Sequence, residues 1–210
     1  MANARNYQKE LDRLIESNEK EGIIPTLLLH ACCAPCSSYV LEYLSRYFRI
    51  TVLFYNPNIT STEEYHKRSE ELLRLVSECD YVHPVEVVEG RYDPQEFFEI
   101  AKGLEDIPEG GERCFRCYRL RMEEAARAAY EGGFDYFTTT LSISPLKNAA
   151  KINEIGEELS SIYKTPHLPS DFKKKDGYKR SIELSAEHDL YRQNYCGCIY
   201  SQRARDQKNS

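Results

Sequence analysis

Seven of the eight cysteines fall in three short stretches: Cys32, Cys33 and Cys36; Cys114 and Cys117; Cys196 and Cys198. Only Cys79 stands apart. The stretches are widely separated along the chain, so a fold that uses them together must bring remote turns to one place. At 210 residues the chain can bury a core without disulfide staples, and a single domain over residues 1–210 is expected. The opening stretch is charged from Arg5 onward and lacks the apolar segment and cleavage site of a secretory signal. The longest nearly apolar stretch, residues 23–35, contains His30 and prolines and is too short to span a bilayer. These features predict a cytoplasmic protein with no membrane partner. In a reducing compartment, paired thiols bind metal or cycle their redox state rather than act as permanent staples.

A net charge of −6 argues at first against a nucleic-acid partner. The charge is unevenly spread. Residues 113–121 carry Arg113, Arg116, Arg119 and Arg121, residues 173–180 form a second basic run, and Arg203 and Arg205 lie near the end. Acidic residues gather elsewhere, at Glu63, Glu64, Glu70 and Glu71 and at Glu154, Glu157 and Glu158. Either basic run alone reads as a solvated face, but the arginine run sits among cysteines.

Periodicity alternates between helix and strand. Tyr7, Leu11, Leu14 and Ile15 form one stripe of a helix over residues 7–20, and the apolar run TLLLHA at 26–31 reads as a buried strand. A helix over 38–48 and a strand over 50–55 follow, the latter stopped by Asn56, Pro57 and Asn58. Next come a charged helix over 62–78, a β-rich run over 81–88 and a helix opened by Asp93 and Pro94. The spacing then predicts a helix over 117–130, a strand over 134–140 and a helix over 148–163. This order implies an α/β fold with a mainly parallel sheet covered by helices on both faces. From His167 onward a lid or small helical extension is expected.

In such a sheet, ligands bind beyond the carboxyl ends of the strands. The turn after the first strand is HACCAPCSS, which has thiols where a nucleotide-binding loop has glycines. Cys36, followed by Ser37 and Ser38, is placed at a helix N-terminus, where the dipole favours thiolate. Cys114 and Cys117 form a CxxC whose spacing suits zinc, an iron–sulfur cluster or a redox dithiol. Neighbouring arginines favour the thiolates and offset the charge of a cluster. A disulfide between Cys196 and Cys198 would close a small, strained and therefore labile ring. Cys79 reads as a packed residue. Structural zinc uses four thiols and leaves the others without purpose, whereas a redox centre gives them one, as relay or as ligands of a second metal.

The segments LHACCAPCSS, GERCFRCYRLRM, SISPLKN, SDFKKKDGYKRSIELS and LYRQNYCGCIYS together resemble the cobalamin-independent epoxyqueuosine reductases. The likeness runs from about Leu29 to Ser201, and the joint pattern CCxPC, CxxCY and YCGC carries it. The resemblance implies a Rossmann-like fold related to adenine nucleotide α-hydrolases and a [4Fe-4S] cluster held by Cys32, Cys33, Cys114 and Cys117. It maps a redox-active pair onto Cys196 and Cys198. The implied reaction removes the epoxide oxygen of epoxyqueuosine, at the wobble position of tRNA, to give queuosine, with electrons from an unidentified donor.

Cys36 is expected near Cys196 and Cys198, where the three serve catalysis or hold a second metal ion, iron or zinc. Tyr118, Tyr195, Asp171 and His30 are the candidate proton donors. Arg116, Arg121, Lys147, Lys174, Arg180 and Arg192 are assigned to a tRNA-binding surface, with Tyr178 and Tyr191 as stacking partners. Two competing readings remain: a cluster-dependent tRNA-thiolating enzyme, which should carry a glycine-rich phosphate loop, and a zinc-stabilised RNA-binding module.

Overall fold

The computed structural model describes residues 5–209. Four strands, β1 (Thr26–His30), β2 (Arg49–Phe54), β3 (Val85–Glu89) and β4 (Tyr136–Thr139), form one parallel sheet in the order β3-β2-β1-β4. Among the described residues eight α-helices flank it: α1 (Tyr7–Glu21), α2 (Ala34–Leu44), α3 (Thr62–Glu78), α4 (Pro94–Ala101), α5 (Glu112–Glu131), α6 (Ala149–Tyr163), α7 (Gly177–Glu187) and α8 (Ile199–Asn209). No helix among the described residues is long and apolar enough to cross a membrane.

Side chains alternate across a strand, so β1 feeds two cores. Leu27 and Leu29 pack with Val40, Leu41, Phe48 and Leu72 on one face. Leu28 packs with Met122, Ala125, Ala126, Ala129 and Ile152 on the other. The alanines let α5 lie close to the sheet beside α6, and each large apolar side chain buried here contributes about 1.5–3 kcal/mol. A third, smaller cluster joins Phe97 and Ala101 of α4 to Cys117 of α5 and Cys198 before α8.

The strand order sets the position of the site. From β1 the chain passes through α2 to β2 on one side, while β4 pairs on the opposite side of β1. The crevice between the ends of β1 and β4 is therefore the point where the winding reverses, the usual ligand position in an open α/β sheet. Cys32 follows β1 there, and Thr140 opens a 3-10 turn (Thr140–Ile143) directly after β4.

The alternating order and the parallel sheet agree with the periodicity, and the chain ends in the helices α7 and α8. The boundaries differ at the cysteines. Helix α2 starts at Ala34, not at residue 38, because Pro35 suits a first helical turn. Helix α5 starts at Glu112, so the CxxC lies inside its first turns. The sequence between 81 and 84 stays outside β3, which begins at Val85.

Candidate active site

Cys33 is the N-cap of α2, with extended backbone (φ −176°, ψ 162°), and Cys36 lies in the first turn. That compact turn gathers the sulfurs of Cys32, Cys33 and Cys36 within 4.8 Å of one another, a group able to hold a metal ion. Cys32 Sγ lies 3.7 Å from Cys33 Sγ. Thr140 Oγ1 accepts from the Cys32 backbone N–H at 3.4 Å and donates to the Cys32 sulfur at 3.6 Å. The thiols of Cys33 and Cys36 donate to Cys32 and hold it well below the ordinary thiol range, helped by Lys147 and Arg121 and opposed by burial. Cys36 is correspondingly pushed up, chiefly by its bonding to Cys32 and Cys33.

Cys114 and Cys117 occupy the head of α5, where Gly111 is the N-cap. The Gly110 N–H points at Cys114 Sγ at 3.3 Å. Burial pushes Cys117 up to about 11, with Arg121 acting against it. The third station precedes α8. Cys198 Sγ accepts from the Ser201 N–H at 3.4 Å, and burial pushes its thiol up to about 12.

Arg121 lies among these stations. It is only 1 % exposed, its Nε donates to the Cys117 carbonyl at 3.2 Å, and its Nη2 has no hydrogen-bond partner. Burial opposes its charge, but the neighbouring sulfurs of Cys117, Cys196 and Cys32 favour it and raise its pKa. The charge of Lys147 is favoured in the same way by Cys196, Cys32 and Cys36. Arg113 Nε, close by on α5, is buried and also unpartnered.

Two adjoining cavities open here. The outer one, of about 440 Å³, is lined by Cys32, Cys36, Arg68, Tyr178, Arg192 and Tyr195, among others. The inner one is smaller and is lined by Asn58, Cys114, Cys117, Tyr118 and Cys198. Cys196, Arg121, Lys147, Glu109 and Ser201 belong to the walls of both. Stations remote in sequence therefore converge, and Cys196 is the sulfur that both spaces share.

The family model described as Epoxyqueuosine reductase QueH matches residues 27–204, most of the chain. The chain belongs to the epoxyqueuosine reductase QueH family. A relative of that name from Streptococcus pyogenes serotype M1 is 46% identical over 198 residues, covering 93% of this chain and 78% of the relative. One from Staphylococcus epidermidis is 44% identical over 200 residues, with 93% and 84% covered. The Thermotoga maritima relative is 34% identical over 191 residues, with 88% and 94% covered.

Within this member of the QueH family the expected site residues are distributed as follows. Cys36 groups most tightly with Cys32 and Cys33, and shares the outer cavity with Cys196, whereas Cys198 faces the inner cavity with Cys114 and Cys117. Lys147 and Arg192 line the outer cavity, as does Tyr178. Arg121 is enclosed and faces the sulfurs. Lys174 is exposed, and Arg116 is an exposed side chain paired with Glu112 at 3.4 Å. Arg180 spends its charge on Glu42 and Glu187, at 2.8 and 2.7 Å, and ties α7 to α2. Tyr191 donates to Glu64 at 3.0 Å, under Lys67.

Among the candidate proton donors, Tyr195 lines the outer cavity and Tyr118 the inner one. His30 is fully buried and bonds Thr139 and the Tyr55 carbonyl through its two ring nitrogens, at 2.8 and 3.0 Å. Asp171 is paired with Lys173 at 2.6 Å. Cys79 lies outside both cavities at the end of α3, with its sulfur 3.6 Å from His188 Nε2. Sequence reasoning missed Arg68, Asn58 and Glu109. Arg68 lies in the acidic run of α3, and nothing local marks it as facing a cysteine loop.

Proposed function

We propose that this protein reduces epoxyqueuosine in tRNA to queuosine at the cysteine-lined cavities. The observation that carries the reading is the convergence of three cysteine stations on a wall that also holds the buried Arg121 and the half-buried Lys147, in a chain of this family. The outer cavity falls within the size range of small-molecule sites and admits a nucleobase turned out of an RNA strand.

The donor set suits an anionic iron–sulfur group. Soft sulfurs are present, N–H groups point at Cys114 and Cys198, and Arg121 Nη2 and Arg113 Nε are buried without partners. We assign Cys32, Cys33, Cys114 and Cys117 to hold a [4Fe-4S] cluster; when bound, it supplies electrons one at a time. Cys36 and Cys196 face the outer cavity and are assigned, with Cys198, to the redox step or to a second metal ion, iron or zinc.

Conversion of the epoxide to the alkene takes two electrons and two protons and releases the oxygen as water. The chain's own residues bind the nucleotide, exclude solvent and move protons. Lys147 stays protonated and presents positive charge to the departing oxygen. Tyr195, which lines the outer cavity, delivers a proton. Lys174 and Arg192 hold phosphates, and Tyr178 offers a stacking face. A tRNA substrate places this work in the cytoplasm, with electrons from a separate donor.

The test is incubation of anaerobically purified protein and a chemical reductant with tRNA carrying epoxyqueuosine, followed by nucleoside digestion and mass spectrometry. Queuosine should replace epoxyqueuosine. Protein with its metal intact that leaves the epoxide unchanged would contradict the reading.

A further inference from the structure

The N–H side of the Cys196–Gly197–Cys198 loop is tied to the head of α8, where Ser201 Oγ accepts from the Cys196 N–H at 3.0 Å, but its carbonyls are held from elsewhere. Three consecutive carbonyls, those of Tyr195, Cys196 and Gly197, all accept hydrogen bonds from α3 or the turn before it. Arg68 Nη1 donates to the Cys196 carbonyl at 3.1 Å and Nη2 to the Tyr195 carbonyl at 3.3 Å. The Thr60 N–H donates to the Gly197 carbonyl at 3.2 Å. The Arg68 side chain is only 2 % exposed and is itself anchored by Glu64, 2.7 Å away on the same helix. Glu64 is held in turn by the Tyr191 hydroxyl at 3.0 Å.

Gly197 shows how close the clamp is. Its φ of +114° is a conformation that residues with a side chain rarely adopt. An added Cβ would lie 3.0 Å from Ile59 Cγ1 and 3.2 Å from Arg68 Nη1. Glycine is therefore needed both for the turn and for the approach of the guanidinium. A pairing of Arg68 with Glu64 alone would be satisfied at the helix surface. Its burial against a loop, with the fork spread over two carbonyls, points to a different role.

We propose that Arg68 is a positioning residue that fixes the cysteine loop on α3, so that the Cys196 thiol stands in the wall common to the two cavities. A lysine at this position keeps the charge but lacks the planar fork that reaches two carbonyls at once. The placement holds for any chemistry at that thiol. Its consequence for turnover rests on the function proposed above.

The experiment uses the full-length chain, purified anaerobically, with Arg68→Lys, Arg68→Leu and Gly197→Ala. Alkylation by iodoacetamide is followed thiol by thiol by peptide mass spectrometry, with Cys79 as internal reference. Loss of the two charge-assisted bonds should free the loop and raise the Cys196 rate by about tenfold in both Arg68 variants, with the Cys79 rate unchanged. Gly197→Ala disturbs the same contact from the other side and should also accelerate Cys196. The Arg68→Lys/Gly197→Ala double variant should be accelerated by less than the product of the two single accelerations, because both disturb the Arg68 contact. Folded Arg68 variants with the parent Cys196 rate would overturn the proposal, as would accelerations that multiply in the double variant. If the Arg68 variants do not fold, an unchanged Cys196 rate in Gly197→Ala overturns it. In turnover, kcat should fall with the KM for tRNA preserved, and a raised KM with kcat preserved would instead make Arg68 an RNA contact. The alkylation result needs no tRNA, so a wrong assignment of the reaction cannot imitate a wrong assignment of Arg68.

Discussion

Arg121 is bonded to Cys117, one turn earlier on α5: its Nε donates to the Cys117 carbonyl at 3.2 Å, which swings the guanidinium inward instead of out to solvent. Its charge is thereby committed to the sulfurs. Removing one member of a buried, mutually compensating charge set costs about 3–5 kcal/mol. Arg121→Met should lower both metal content and stability to urea, whereas Arg121→Lys should retain more of each. Elemental analysis and urea unfolding of the same preparations check this, and a fully metal-loaded Arg121→Met protein would show that the charge is not needed there.

A second prediction concerns acid. His167 is nearly buried, both its ring nitrogens lack partners, and burial pushes its pKa down to about 3. Its ring packs against Phe137, with centroids 5.3 Å apart. The unfolded chain protonates this histidine near 6.5 and the folded chain does so only near 3, so between those values unfolding takes up a proton. Stability from this residue is fully present above about pH 6.5 and falls by about 1.4 kcal/mol per pH unit through the window below it. Urea titrations of metal-free protein from pH 7.5 to 4.5 should show this slope. His167→Leu should remove about one proton from the uptake, and an unchanged slope would refute the assignment.

RNA binding supplies a third. Despite the net charge of −6, affinity for tRNA should fall steeply with added salt, because cations rim the outer cavity. Lys174→Ala should flatten the plot of log affinity against log salt by about one unit. Arg180→Ala should leave the slope nearly unchanged, since Glu42 and Glu187 already hold that charge. Filter binding at several salt concentrations separates the two.

The legible parts of this chain were those with local signatures. The apolar run of β1 and the thiols in the turn after it pointed to the sheet's carboxyl edge, and the structure gathers the Cys32, Cys33 and Cys36 sulfurs in that turn. The start of α5 was less legible, because the stretch before residue 117 is rich in arginine and breaks the apolar stripe. Arg121 read as a surface cation from its neighbours Arg116 and Arg119, yet one helical turn separates an exposed position from a buried one. Arg68 carried no signal at all. Its role depends on a loop far away in sequence that only the folded chain brings against α3.

What decides between one centre and several independent thiol sites is iron, sulfide and visible-absorption analysis of the anaerobically purified parent protein beside Cys32→Ser, Cys114→Ser and Cys79→Ser. Joint ownership of one cluster predicts about four irons and four sulfides per chain in the parent and in Cys79→Ser. It also predicts loss of the whole chromophore in Cys32→Ser and in Cys114→Ser alike. A colourless parent holding stoichiometric zinc, or a full chromophore surviving either of those two substitutions, would contradict it.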